Sequence, residues 1–160
     1  MINREFASFR AYIELLRPPL APMDIAMPAA SALLAVYAVE GTLPPLVPFL
    51  IAVLGAYCAI TSSYVYNDCC DIDVDKVGMP SRPLPSARLS RRQAQHWSLF
   101  LFLIALSAAL YLNPESFVIL VLATILAGIY SAWAKRNTPF SWVFVGLSYG
   151  LVPLGVWLAM

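Results

Sequence analysis

The stretch Val65-Tyr66-Asn67-Asp68-Cys69-Cys70-Asp71-Ile72-Asp73-Val74-Asp75-Lys76 follows directly on an apolar run and sets four carboxylates within eight residues. On a helix advancing about 100° per residue, with Asn67 at zero, Asp71 falls at about 40°, Asp75 at about 80° and Asp68 at about 100°, whereas Asp73 falls near 240°. Asn67, Asp68, Asp71 and Asp75 therefore share one face, which continues backwards through Tyr64, Thr61 and Tyr57 as a polar and aromatic stripe expected to line a cavity. Like charges stacked at i, i+4 and i+8 repel by roughly 0.2–0.5 kcal/mol per pair. A compensating cation is expected, and Mg2+ suits a set of hard oxygens because one or two carboxylates hold it while it bridges substrate phosphates. The plainer alternative is a run of solvated acids at a membrane surface. A calcium loop, suggested by Asp71, Asp73 and Asp75, fails because Lys76 stands where Gly is required and Arg82 where Glu is required.

Outward from this stretch, the composition is that of a chain in a bilayer. Of 160 residues, 61% are hydrophobic and 12% charged, against about a quarter charged in ordinary soluble domains. A net charge of +1, with no clustered basic excess, argues against a nucleic-acid partner. The cysteines, Cys58 and the adjacent pair Cys69-Cys70, form neither a disulfide framework nor a CxxC metal pattern. Met1 to Arg17 shows no short apolar core followed by a cleavage site, so no signal peptide is read there.

Residues 1–17 read as a short amphipathic interfacial segment, with Arg4, Glu5, Arg10, Glu14 and Arg17 set among Phe6, Phe9, Tyr12 and Ile13. A transmembrane unit follows over 18–160, with spans expected at about 23–39, 46–66, 96–112, 114–134 and 140–160. Pro28 is expected to kink the first. Each run is long enough to cross about 30 Å of hydrocarbon. Asn113-Pro114-Glu115 reads as a helix start, with a capping side chain, proline in the first turn and an acid beside it. All ten Lys and Arg fall in the N-terminal segment, after span two or after span four. Five alternating spans put them on one side, and the positive-inside rule makes that side cytoplasmic. The acidic stretch then opens toward the cytoplasm of a multi-pass cell-membrane protein, beside a loop holding Lys76, Arg82, Arg88, Arg91 and Arg92 and a second basic pair, Lys135-Arg136. Such cations can meet phosphate oxygens, or serve topology and anionic lipid contact alone.

These residues resemble the UbiA-type intramembrane prenyltransferases. The family signature NDxxDxxxD matches Asn67, Asp68, Asp71 and Asp75. The following Arg-Pro-[Ile/Leu]-Pro-Ser-Gly matches Arg82-Pro83-Leu84-Pro85-Ser86, with Ala87 replacing the final Gly. Leu16-Arg17-Pro18 is similar to the family's lead into its first span, although Leu20 stands in the region of a frequent Asn. A YxxxK motif at the end of the fourth helix is matched loosely by Tyr130 and Lys135, one residue further apart. The resemblance implies an all-α membrane fold, the N-terminal portion of a UbiA-like bundle. It implies Mg2+-dependent transfer of an isoprenyl group from a prenyl diphosphate donor to a lipophilic acceptor.

In residue terms, the resemblance implies Asn67, Asp68, Asp71 and Asp75 as metal ligands, with Asp68, Asp71 and Lys135 catalytic. Arg82, Lys135, Arg136, Tyr64 and Tyr130 would bind the diphosphate and isoprenyl group, and Asp73 is excluded. The family has roughly eight or nine spans and a second Asp-rich motif that this chain does not supply. The chain is therefore expected to be an incomplete N-terminal half and inactive alone, an expectation that prenyl transfer by the purified chain would overturn. Acceptors within the family include aromatic and quinone precursors, chlorins, haem and lipids. Asp75-Lys76 followed by RPLPS is most similar to members acting on geranylgeranylglyceryl phosphate. A CDP-alcohol phosphotransferase is disfavoured because its Asp-Gly and Ala-Arg elements are missing. A non-catalytic transporter or ion-binding membrane protein is the competing reading, although its acids belong near the bilayer midplane.

Overall fold

The computed structural model describes residues 2–160, with side chains described from Phe9 onward. The side chains of Arg4, Glu5 and Phe6, on which part of the amphipathic expectation rests, lie outside that range. The chain folds into α1 (Ile2–Leu15), α2 (Ala21–Glu40), α3 (Leu46–Cys70), α4 (Ile72–Gly78), α5 (Arg91–Leu112) and α6 (Pro114–Ile129), followed by a π-helical turn (Tyr130–Ala134), α7 (Lys135–Asn137) and α8 (Ser141–Ala159). Among the described residues there is no strand. Five segments are long and apolar enough to cross a membrane: α2, α3, α5, the unit Pro114–Asn137 and α8. Large apolar side chains such as Leu34, Leu54, Leu103, Ile125 and Leu147 are exposed on all five, as hydrocarbon-facing helices require.

Local chemistry sets the helix ends. Gly41 closes α2 at φ 69°, its N–H donating to the Tyr37 carbonyl, the left-handed cap that glycine adopts without penalty. Ser90 opens α5 with a capping box: its Oγ accepts from the Gln93 N–H at 3.2 Å while its own N–H donates to Gln93 Oε1 at 2.9 Å. That box starts α5 at Arg91, five residues before the expected His96, and its Ser-x-x-Gln spacing is legible in the sequence. Asn113 caps α6 as expected, accepting from the Ser116 N–H at 2.8 Å, and its amide donates to the Leu158 carbonyl at the end of α8.

The tightest helix pair is α3 with α5. Ser62 and Ser98 exchange hydroxyl-to-carbonyl bonds of 2.9 Å in both directions. Small residues let the backbones approach there, the usual basis of helix association in lipid. Helix α1 buries Ala11 and Leu15 in a cluster with Val65, Cys69, Leu84, Leu89, Ala94 and Leu101, so part of its apolar face is covered by protein. Tyr12 meets Trp97 edge to face at 5.6 Å. The Arg88 guanidinium grips both oxygens of Glu14 at 2.7 and 2.9 Å, and this contact holds the Glu14 carboxyl below the ordinary range despite partial burial. The loop from Met79 to Ser90 is thereby pinned against α1 and α5.

Two positions test this packing. A Cβ at Gly55 would lie 2.7 Å from the Ala108 Cβ, and both atoms are fixed to helix backbones. Gly55→Val should cost about 1–3 kcal/mol of overpacking, read as earlier thermal unfolding in detergent. Ala87 sits at φ 58°, where an L side chain costs roughly 1–2 kcal/mol relative to glycine. After subtracting glycine's larger unfolded-state entropy, Ala87→Gly should stabilise the protein by about 0.5–1 kcal/mol. A lower melting temperature for Ala87→Gly would contradict the left-handed turn.

Candidate functional site

The acidic stretch does not continue as one helix. Asp71 leaves the α region at φ −102°, ψ 7°, closing α3 and starting α4, so the single-face expectation holds only in part. The acids separate into two groups at one end of the bundle. In the first, Asp68 Oδ1 accepts from Arg17 Nη2 at 2.6 Å and lies 3.4 Å from Arg82 Nη1, which also donates to Asp75 Oδ2 at 2.8 Å. In the second, Asp71 Oδ2 receives Lys135 Nζ at 2.7 Å and Asn67 Nδ2 at 2.9 Å, and Lys135 Nζ also donates to Asn67 Oδ1 at 2.8 Å. Arg136 Nη2 lies 3.6 Å from Asp71 Oδ1 and donates to the Cys70 carbonyl at 2.6 Å. Asp73, 90% exposed, meets only Lys76, at 3.5 Å, and stays outside both groups as expected. Asp68 is 6% exposed at its side chain. Removing a partner from such a buried pair costs about 3–5 kcal/mol, because the remaining charge is stranded.

Arg17 was not among the expected site residues, yet it is the closest partner of Asp68. It is held at φ 52° immediately before Pro18. A non-glycine residue in that region is strained by about 1–3 kcal/mol, and a following proline favours extended backbone instead. Two contacts hold it there: the Asp68 carboxylate, and the Tyr64 ring 4.7 Å below its guanidinium. An arginine before Pro-Pro, on the same side as the acids, was the available signal.

Tyr64 faces a second unexpected residue. Its hydroxyl donates to Asp24 Oδ1 at 3.0 Å and accepts from the Tyr149 hydroxyl at 2.7 Å, joining α2, α3 and α8. Asp24 is 1% exposed. The signal in the sequence was a lone acid within the first apolar span, the placement that in a membrane most often marks function.

The π-helical turn accounts for the spacing of Tyr130 and Lys135. The Lys135 N–H reaches back to the Tyr130 carbonyl, the i to i+5 bond that absorbs one extra residue into a helix. Residues five apart then stack as residues four apart do on an α-helix, and Lys135 Nζ lies 5.8 Å from the Tyr130 ring centroid. Tyr130 is thus brought to the site despite its departure from the expected spacing.

The cavity expected along Tyr57, Thr61 and Tyr64 lies elsewhere. Thr61 is fully buried and turns its hydroxyl onto the Tyr57 carbonyl at 2.8 Å, while Tyr64 is engaged by α2 and α8. The larger cavity, about 450 Å3, lies between α3, α5, α6 and α8 and meets α3 at Gly55, Ala56, Ala59 and Ser63. Tyr149 lines it and so connects it to the Tyr64 cluster. A smaller depression of about 250 Å3 adjoins the Asp68 pair and is bordered by Glu14, Arg17, Leu20, Asp68, Arg82 and Pro83.

Three carboxylates of the site meet four cations, Arg17, Arg82, Lys135 and Arg136, so every carboxylate is charge-paired within the site. Among the described residues no three His, Cys, Asp or Glu side chains converge on a common point. Each group instead offers one or two hard oxygens. That donor set fits Mg2+ that shares its remaining coordination with a phosphate ligand, and it does not fit an all-protein cage.

Comparison with known proteins identifies the family. The UbiA prenyltransferase family matches residues 26–160. A digeranylgeranylglyceryl phosphate synthase of Thermococcus gammatolerans is 34% identical over 147 residues, covering 91% of this chain and 51% of that protein. One from Sulfurisphaera tokodaii is 33% identical over 145 residues, covering 90% and 50%. The chain thus spans about half the length of these relatives. A solved digeranylgeranylglyceryl phosphate synthase superposes with a TM-score of 0.82 at 24% identity, over 95% of this chain and 53% of that one. A UbiA homolog from Archaeoglobus fulgidus bound to GPP and Mg2+ gives 0.73 at 21% identity, over 93% and 52%. By its sequence and its fold alike, the chain belongs to the UbiA prenyltransferase family.

Proposed function

We propose that this chain takes part in Mg2+-dependent transfer of an isoprenyl group from a prenyl diphosphate to a lipophilic acceptor within the membrane, its acidic end facing the cytoplasm. The observation that carries the reading is the charge-paired cluster: the cations that now occupy Asp68, Asp71 and Asp75 are of the type and number a diphosphate needs. When the ligand arrives, Arg82 and Lys135 exchange carboxylate oxygens for phosphate oxygens, and the released carboxylates become free to bind metal. Asp68 and Asp75, which share one Arg82 nitrogen, would hold one position together. Asn67 and Asp71, which share Lys135, would hold a second.

The Mg2+ would supply charge neutralisation at the diphosphate, easing departure of that group. The residues do the rest. Arg82 and Arg136 present planar guanidinium forks to the leaving phosphate oxygens, and Lys135 adds a point charge oriented by the Tyr130 ring. Positive charge fixed where negative charge accumulates lowers the barrier to heterolysis without reorganisation. The isoprenyl tail would run into the bilayer-facing interior, where the 450 Å3 cavity has the size and apolar lining typical of ligand sites. The family relatives named digeranylgeranylglyceryl phosphate synthase favour geranylgeranylglyceryl phosphate as acceptor.

In a thermal-shift assay on the detergent-solubilised chain, geranylgeranyl diphosphate should stabilise the protein only when Mg2+ is present. Arg82→Ala loses charged hydrogen bonds of about 1.5–3 kcal/mol and should weaken that binding about 10- to 100-fold. Stabilisation by a cation regardless of diphosphate would instead support the ion-binding reading.

A further inference from the structure

Asp24 stands apart from the charge pairs of the acidic helix end. Its residue is 1% exposed, its Oδ1 accepts from the Tyr64 hydroxyl at 3.0 Å, and its Oδ2 is buried with no hydrogen-bond partner among the described residues. The nearest guanidinium cluster does not relieve it, because Arg17 is spent on Asp68 at 2.6 Å and on the face of Tyr64. A buried carboxylate oxygen without a donor is costly, and within a membrane-spanning helix the cost is greater still. The Tyr64 bond accounts for Oδ1 as the link from α2 to α3, and Oδ2 is left without a structural partner among the described residues.

Its position is informative. Tyr64 lies one helical turn before Asp68 on α3, so its backbone is about 6 Å further along the helix into the apolar body of the bundle. Arg17 bridges the two levels, touching Asp68 with its guanidinium nitrogen and Tyr64 with its plane. A nucleophile entering from the bilayer would approach a diphosphate-bound isoprenyl carbon from this side. Tyr149, bonded to Tyr64 at 2.7 Å, carries the same polar cluster to the wall of the 450 Å3 cavity.

We propose that Asp24 Oδ2 receives the hydroxyl of an alcohol acceptor and holds it for attack. This rests on the prenyl-transfer reading. The bond between the isoprenyl C1 and the diphosphate oxygen breaks, its electron pair leaving with the diphosphate. The acceptor oxygen then bonds to C1, its O–H bond breaks, and the proton passes to Asp24 Oδ2. Tyr64, donating to Oδ1, leaves Oδ2 as the unpaired oxygen of the carboxylate. An acceptor that reacts through carbon and carries no hydroxyl gains nothing from this residue, so Asp24 also selects the class of acceptor.

The test uses geranylgeranylglyceryl phosphate and its deoxy analogue, which lacks the free glycerol hydroxyl. Binding of each to the 160-residue chain is measured in the presence of geranylgeranyl diphosphate and Mg2+. The wild type should prefer the hydroxyl compound by tenfold or more. Asp24→Asn and Asp24→Leu should abolish or sharply reduce the preference while leaving geranylgeranyl diphosphate binding within about twofold; Tyr64→Phe, which keeps the ring beneath Arg17, should reduce the preference in part. Equal affinity of the wild type for both compounds, or full discrimination retained by both Asp24 variants, overturns the proposal. Mg2+-dependent donor binding is scored separately: its loss in the wild type refutes the prenyl-transfer reading itself. Should Asp24→Leu fail to fold, the near-isosteric Asp24→Asn and Tyr64→Phe still decide the matter.

Discussion

Four cations, three of them half-buried, brought to one end of a membrane bundle hold the whole arrangement together. Asp68 cannot stay charged at the bottom of α3 unless Arg17 and Arg82 reach it, and Asp71 depends in the same way on Lys135. Those partners come from the α1–α2 junction, from the loop after α4 and from the end of the fourth span. Satisfying the carboxylates therefore fixes how three remote segments converge. The strained backbone at Arg17 and the π-helical turn before Lys135 are both geometries that deliver a cation to a particular acid.

The same constraint shapes what the site can do. A cluster whose three carboxylates already meet four cations has little affinity for a bare metal ion, because metal must displace an arginine or a lysine from each carboxylate. A ligand that brings both metal and phosphate supplies something for each side of every ion pair. Binding is then an exchange of partners, with little new charge brought into a low-dielectric interior, where unpaired ions are expensive. The two-group division of the acids suits such an exchange, since neither group alone encloses an ion.

Much of this was legible in the residues. Five apolar runs, the one-sided distribution of Lys and Arg, and the Asn113-Pro114 helix start carry their structural meaning locally, and the fold follows from them. The acidic helix end was legible because hard oxygens at helical spacing in an apolar chain have few uses. What escaped the sequence depends on geometry across elements. The break at Asp71 has no glycine or proline to announce it, and only an unbroken helix would set all the acids on one face. The Tyr57, Thr61 and Tyr64 stripe reads as a cavity wall by periodicity, yet a buried polar stripe serves equally as the contact between three helices, and α2 and α8 cover Tyr64. The extra residue between Tyr130 and Lys135 looks like lost register until a π-helical turn absorbs it. Asp24 and Arg17 were visible as residues, but only tertiary contacts reveal that one is left with a bare oxygen and the other bridges two levels of the site.

The central claim, that the acids are held by internal cations until a diphosphate releases them, is tested most directly by titrating Mg2+ into the purified chain by calorimetry, first alone and then with saturating geranylgeranyl diphosphate. Partner exchange predicts negligible heat for Mg2+ alone and a well-defined binding isotherm once the diphosphate is present. Tight Mg2+ binding to the chain without diphosphate, abolished by Asp68→Asn or Asp71→Asn, would show that the carboxylates are already free and would contradict the account.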